Sequence, residues 1–278
     1  MKYFPSAQIQ TRGGIGVGRP QTRGFQGSVV GNVLWDGFYS VSTTAIPMYM
    51  FEGLQIQNGL AGSLYGGQDP ADIFNYTRKR PIPFSNTFWA DYKSRLNFGV
   101  GWDTSDRFQY VGYRGVFYKS DGAKQAKNSD HERNLASLGL DFYLTENFTI
   151  ETNFSYYKHK MLGIPGGFSM PGRNGVLNFA VPDVAKNTKA GLEQEWAGSD
   201  LKTTTASVKF KYAPTESWYF EGGYQWQKAI RDMYGTSKTF INQNGDFSVA
   251  ASGGNGAASR FDVQSWFAKA ATEFETFG

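Results

Sequence analysis

The 278-residue sequence contains no cysteine. This excludes a disulfide framework, a thiolate nucleophile and any Cys-ligated metal site. Histidine is nearly absent too. His131 and His159 are the only two, 28 positions apart at strand–loop borders, and their residue type alone gives them a structural or surface role. No run of 18 apolar residues exists, so no transmembrane helix is expected. The first residues, MKYFPSAQIQTRGG, lack the apolar core of a secretory signal. Charge is nearly balanced at +4, and basic residues form no stripe of the kind a nucleic-acid surface needs.

Enzyme signatures are missing as well. Ser63-Leu64-Tyr65-Gly66 lacks the G-x-S-x-G spacing of a nucleophile elbow. The glycines at 13, 14, 16 and 18 lack the Lys-Ser/Thr of a phosphate loop. The acidic residues show no repeated calcium-loop spacing. Neither a catalytic group nor a metal ligand is assigned.

What is present is aromatic residues at 17% and 34 glycines. Aromatic side chains suit sheet faces, and glycine relieves crowding in twisted strands. The chain divides near residue 81. Up to that point it is irregular and glycine-punctuated, with short strands expected over 49–58 and 73–78 and a turn at Asp36-Gly37. Beyond it, long alternating segments appear. Seven strands are expected, over about 88–101, 107–119, 136–142, 150–156, 203–212, 218–227 and 261–274. Alternation places Ala136, Leu138, Leu140 and Phe142 on one face, and Trp218, Phe220, Tyr224 and Trp226 on another such face.

These segments exceed the usual globular strand of about 5–6 residues and reach the 9–11 or so of a tilted membrane strand. Short connections are expected at 102–106, 145–147 and 213–217, and long ones at 120–132, 159–200 and 228–259. That alternation, with aromatics near strand ends, fits an outer-membrane barrel. A passive porin or a soluble β-rich binding module shares parts of the pattern.

The N-terminal part carries a more specific signal. Arg23-Gly24-Phe25-Gln26 and Asn32-Val33-Leu34-Trp35-Asp36-Gly37 occur in order. Glu52-Gly53-Leu54-Gln55-Ile56-Gln57-Asn58-Gly59, Ser63-Leu64-Tyr65-Gly66 and Asn75-Tyr76-Thr77-Arg78-Lys79-Arg80-Pro81 follow. This series resembles the plug of TonB-dependent outer-membrane receptors, closest to the siderophore branch that includes ferrichrome-type receptors. The pattern departs at Asn58-Gly59-Leu60, where the family has Arg-Gly-Pro, and at Ala71-Asp72, where it has Gly-Gly.

The resemblance implies an all-β transmembrane barrel, here about seven of 22 antiparallel strands, preceded by part of a small mixed α/β plug. Residues 1–81 would be plug and 82–278 barrel. A signal, an energy-coupling segment and further strands would belong to a longer parent. That parent, a monomer in outer-membrane lipid, would import ferric siderophores with the TonB–ExbB–ExbD energy-coupling complex as partner. Iron would arrive as a siderophore chelate, with no protein cofactor. Cobalamin or glycan uptake, or a receptor piece without function, are the alternatives. At the plug apex, Arg12, Phe38 and Tyr39 would touch ligand. Structural plug roles fall to Arg23 (bridging plug and barrel), Gly24, Phe25, Asp36, Gly37, Tyr65, Gly66, Asn75, Lys79, Arg80 and Pro81.

Overall fold

The computed structural model describes residues 7–12, 17–42, 46–58, 65–66, 68–93, 97–122, 129–163, 167–170, 172–173, 176–177, 194–242, 246–253 and 258–273. The N-terminal domain holds two small sheets. In the first, β1 (Ala7–Arg12), β2 (Val17–Thr22) and β3 (Phe25–Gln26) run antiparallel. The second contains β4 (Val33–Trp35), β5 (Phe38–Tyr39), β6 (Phe51–Gln57) and β7 (Ile73–Arg78), in the order β5-β4-β7-β6. Its β4–β7 pair is parallel. A single 3-10 turn, Met48–Met50, leads into β6. The described residues are therefore mostly β, where a mixed α/β domain was expected.

The β4–β5 hairpin turns on Asp36 and Gly37, both at positive φ (+53° and +89°). A two-residue turn of this hand matches strand twist, and Asp-Gly tolerates it. The Asp36 carboxylate accepts the Arg78 backbone N–H at 2.9 Å, and the Gly37 N–H donates to Asn75 at 3.1 Å. Expected strands at 49–58 and 73–78 correspond to β6 and β7.

The remaining chain builds one large sheet, called here the wall. Its strands are β8 (Ser85–Lys93), β9 (Asn97–Arg107), β10 (Val111–Asp121), β11 (Asp130–Thr145) and β12 (Phe148–Leu162). Short pieces β13 (Gly167–Ser169), β14 (Gly172–Arg173) and β15 (Val176–Leu177) follow. The chain then forms β16 (Gly198–Tyr212), β17 (Trp218–Phe240), β18 (Phe247–Gly253) and β19 (Ser259–Thr272). All long neighbours pair antiparallel in the order β8-β9-β10-β11-β12-β16-β17-β19, and β18 pairs the outer part of β17. Among the described residues, β8 and β19 are the two edges, and they do not pair.

Three expectations change. The single strand over 88–101 is a hairpin, with Trp89 opposite Gly101 and Lys93 opposite Asn97. The sequence between the two strands, Ser-Arg-Leu, contains no Gly, Pro or Asn to signal a turn. The wall thus has eight long strands where seven were expected. The polar stretch 102–106, read as a turn, lies inside β9. It is polar because Asp103 and Ser105 point inward, Asp103 to Lys79 of the N-terminal domain and Ser105 to the Ile82 backbone just beyond it. The loop expected over 228–259 is largely the β17–β18 hairpin. Short turns at 145–147 and 213–217 are as expected.

Register fixes which residues share a face. Ser105, Arg114, Gly139, Asn153, Ser207, Gln225 and Ser265 form one line across β9, β10, β11, β12, β16, β17 and β19. This inner face is polar and covered by the N-terminal domain. The outer face presents Phe88, Phe98, Val100, Leu138, Phe154, Val208, Phe210 and Trp266 to the surroundings, with Trp266 79% exposed. A soluble sheet rarely leaves such a continuous apolar face uncovered. The main core joins both units: Val33, Trp35, Met50, Phe51, Phe74 and Tyr76 pack with Val116, Tyr118, Leu135 and Tyr157 of the wall.

Candidate functional site

The site is the seam between the N-terminal domain and the inner wall. Near the short-turn end it is ionic. β7 ends in Arg78, and Lys79 and Arg80 follow before Pro81. Arg78 is 2% exposed; its guanidinium donates to Asp36 and to Gln225 of β17, each at 2.7 Å, and lies over the Trp35 ring at 5.3 Å. Lys79 reaches Asp103 of β9 at 2.8 Å, where Arg114 of β10 also binds in a fork at 2.5 and 2.8 Å. Arg80 pairs with Asp141 of β11 and donates to Asn153 of β12 at 2.8 Å. Burial is the largest influence on Arg80 and lowers its pKa, against the raising pull of Glu151 and Asp36. Consecutive residues thus fasten to separate wall strands. Alongside, Lys209 bridges Glu151 (3.1 Å) and Glu221 (3.2 Å), so the inner wall carries both signs of charge.

A second line of contacts follows the β4–β5 hairpin along β17 and β19. The Tyr39 N–H donates to Ser265 Oγ at 3.0 Å, and the Val41 N–H to Gln227 at 2.6 Å. Gln225 donates to Ser40 Oγ at 2.9 Å. Phe38 is buried against Phe267, ring centroids 4.9 Å apart.

Farther toward the long connections the seam is aromatic. Tyr49 lies between Tyr118 (4.2 Å) and Trp89 (5.6 Å). The Tyr49 and Tyr118 hydroxyls both approach Asp91, and Lys93 donates to the Tyr118 hydroxyl at 3.2 Å. Glycine makes the room: a Cβ on Gly101 would sit 2.1 Å from the Trp89 ring, and one on Gly99 would sit 2.5 Å from the Tyr118 hydroxyl. Burial, then the hydrogen bond with Tyr118, raises the Tyr49 pKa.

The residues singled out from sequence fall in three places. Lys79, Arg80 and Pro81 lie in the ionic seam, and Asp36, Gly37 and Asn75 brace the hairpin beside it. Arg23, Gly24 and Phe25 form a tight turn inside the N-terminal domain, with Arg23 and Gly24 at positive φ. Arg23 pairs with Asp72 at 3.0 Å, so it ties two parts of that domain together and does not bridge to the wall. Asp72 itself is fully buried and takes the Thr22 hydroxyl as acceptor for its N–H. The departure at Ala71-Asp72 therefore supplies a charge partner for Arg23 at ordinary backbone angles. Tyr65 accepts the Tyr39 hydroxyl at its carbonyl, and Gly66 has φ +79°.

Of the expected ligand contacts, Phe38 and Tyr39 are seam residues, and the Tyr39 hydroxyl is engaged by Tyr65 and Gln68. Arg12 lies on β1 opposite Val17, and its side chain is outside the described residues. Gly59, Leu60, Ser63 and Leu64 lie outside them too. Sequence reading missed Asp103, Asp141, Asn153, Gln225 and Ser265. Their signal is a polar residue in step with the inward face, between apolar residues that face outward.

Comparison with known proteins bears on this arrangement. Residues 1–71 match the TonB-dependent Receptor Plug Domain family. The plug is joined to a wall whose fold recurs in solved receptors. The ferric preacinetobactin receptor BauA of Acinetobacter baumannii superposes with a TM-score of 0.81 at 21% identity, over 98% of this chain and 40% of that one. The ferripyoverdine receptor of Pseudomonas aeruginosa gives 0.72 at 15% identity, over 89% of this chain and 34% of that one. The ferric-catecholate import receptor Fiu of E. coli K12 gives 0.67 at 16%, over 90% and 37%. At such identities the likeness is one of fold, and the chain spans about two fifths or less of these relatives. No curated protein sequence matches it. The plug-domain match covers the first quarter of the chain, the likeness beyond it is of fold, and neither singles out a ferrichrome-type branch.

Proposed function

We propose that this chain, residues 1–81 as plug and 82–278 as wall, serves energy-coupled import of ferric siderophores across a bacterial outer membrane within a TonB-dependent receptor. The observation that carries the reading is the plug seated on a polar inner wall, while the outer wall is apolar. Such a plug blocks a pore until it is rearranged. Its seam combines buried ion pairs and hydrogen bonds with a shared apolar core, so parting plug from wall takes work. The external source of work would be the TonB–ExbB–ExbD complex, acting on a monomer in outer-membrane lipid. The siderophore supplies the iron ligands, so the protein needs no iron site of its own. A ligand reaches Phe38 or Tyr39 only once the hairpin leaves β17 and β19; Arg12 belongs to the separate β1–β2 sheet.

The test is uptake of radiolabelled iron chelates by cells producing the protein from its complete reading frame. The expected result is accumulation that stops when the energy-coupling complex is deleted. Accumulation of no chelate, or accumulation independent of coupling, would overturn the proposal in favour of another substrate or a passive channel.

A further inference from the structure

The two histidines of the chain, remote in sequence, meet in space. β11 and β12 pair so that Arg133 lies opposite His159 and His131 opposite Met161. All four point to the inner face. The imidazole Nε2 atoms of His131 and His159 are 2.5 Å apart, and the two rings are 1% and 4% exposed as residues. Met161 is equally buried at 4%. The Arg133 Nε–H donates to His131 Nε2 at 3.1 Å. Arginine has no acceptor, so His131 Nε2 carries a lone pair, and His159 Nε2 supplies the proton between the rings. Two imidazole nitrogens are therefore aimed at one point, at a separation that needs a bridging proton or a bridging cation.

We propose that His131, His159 and Met161 form a copper site on the inner wall. The inference does not depend on the transport reading. Two imidazole ligands at about 2.0–2.1 Å from one metal ion in a tetrahedral or trigonal site stand about 3.3–3.6 Å apart, so the rings need part by about 1 Å. Among the described residues, no group of three or more His, Cys, Asp or Glu converges. The third donor that register brings to the pair is the Met161 thioether, opposite one histidine and two residues along the same face from the other. A soft thioether beside imidazoles selects copper, Cu(I) above all. Arg133 opposes binding: its guanidinium must swing away from His131. A monovalent ion meets less of this repulsion than a divalent one. Binding also requires the His159 proton to move from Nε2 to Nδ1, which frees the Nε2 lone pair for the ion.

The test uses tag-free protein in detergent, titrated with Cu(I) under ascorbate against a chromogenic chelator. With two histidines and no cysteine in the whole chain, histidine-dependent binding reports on this site alone. The expected result is one equivalent of Cu(I), lost in both His131→Ala and His159→Ala. Met161→Leu should weaken Cu(I) at least tenfold and leave Ni(II) binding unchanged. Arg133→Gln should tighten binding severalfold. X-ray absorption should show a sulfur neighbour in the wild type that Met161→Leu removes. Should His131→Ala fail to fold by circular dichroism, His131→Asn, which keeps a polar side chain of similar size, takes its place. Absence of Cu(I) binding by the wild type, or undiminished stoichiometry in the histidine variants, overturns the site. Unchanged Cu(I) affinity in Met161→Leu overturns the copper preference.

Discussion

Arg78 shows how much one buried side chain can decide. Its guanidinium satisfies Asp36 within the plug and Gln225 on the wall, and stacks over Trp35. Removing it leaves a carboxylate that is 8% exposed without its cation. Arg78→Ala is expected to cost about 3–5 kcal/mol, the usual penalty for stranding a buried charge. Arg78→Lys should recover only part of this, because an ammonium lacks the planar fork that spans Asp36 and Gln225 while lying over the Trp35 ring. Denaturant unfolding of the three proteins in detergent checks the order. Gly101 acts through absence. Gly101→Ala should cost about 1–3 kcal/mol, since the new methyl occupies the place of the Trp89 ring. In the double variant Gly101→Ala/Trp89→Ala the alanine at 101 should cost almost nothing further. A double-mutant cycle measures this, and a Gly101 cost that persists without Trp89 would refute the packing account.

At the scale of elements, β7 and the 3-10 turn hold the plug through tyrosines kept neutral by burial. Burial raises the Tyr76 pKa, and burial with the Tyr118 contact raises that of Tyr49. For each group the folded state binds its proton more tightly than the unfolded chain, where tyrosine titrates near 10. Their contribution is fully present below about pH 10 and is lost as pH rises through the folded values. Plug stability should therefore fall with pH above about 10. Tyr76→Phe should flatten that fall; an unchanged slope in this variant would remove Tyr76 as a cause. The β8–β9 hairpin teaches a different lesson at this scale. Period-2 alternation runs on through β8 and β9, and the sequence between them has no glycine or proline to signal a turn, so the sequence alone reads them as one strand. The inward Asp103 and Ser105 look like turn residues until their partners, Lys79 and the Ile82 backbone, are known.

For the whole molecule, the two faces of the wall make opposite demands. Val208 lies on the outer face and is 44% exposed, whereas its neighbour Ser207 points inward and is buried. If the outer face meets lipid, Val208→Arg should cost about 2–4 kcal/mol near the bilayer middle. Refolding into lipid vesicles, followed by the heat-dependent shift in gel mobility, checks this. Equal insertion of wild type and variant would argue against lipid on that face. The shared core adds a second constraint. Val116, Leu135, Phe51 and Phe74 belong to one cluster drawn from both units, and each such side chain contributes about 1.5–3 kcal/mol when fully buried. Separating the N-terminal domain from the wall exposes that cluster as well as the ionic seam, so spontaneous separation should be rare.

The sequence by itself determined the local chemistry of this protein. Alternation fixed which side chains of each strand share a face, because the β period is 2 whatever the partner. Asp36-Gly37 fixed a hairpin turn, because few other pairs tolerate positive φ twice in succession. The plug motifs fixed the ordered series that ends in Arg78-Lys79-Arg80-Pro81. Only tertiary structure decided where that basic run goes, since its partners lie 24 to 147 residues away on separate strands. It also decided that Phe38 faces Phe267, and that His131 meets His159. Those pairings depend on register between strands, which no single segment encodes. Register is set when one face of every strand must bury the same plug.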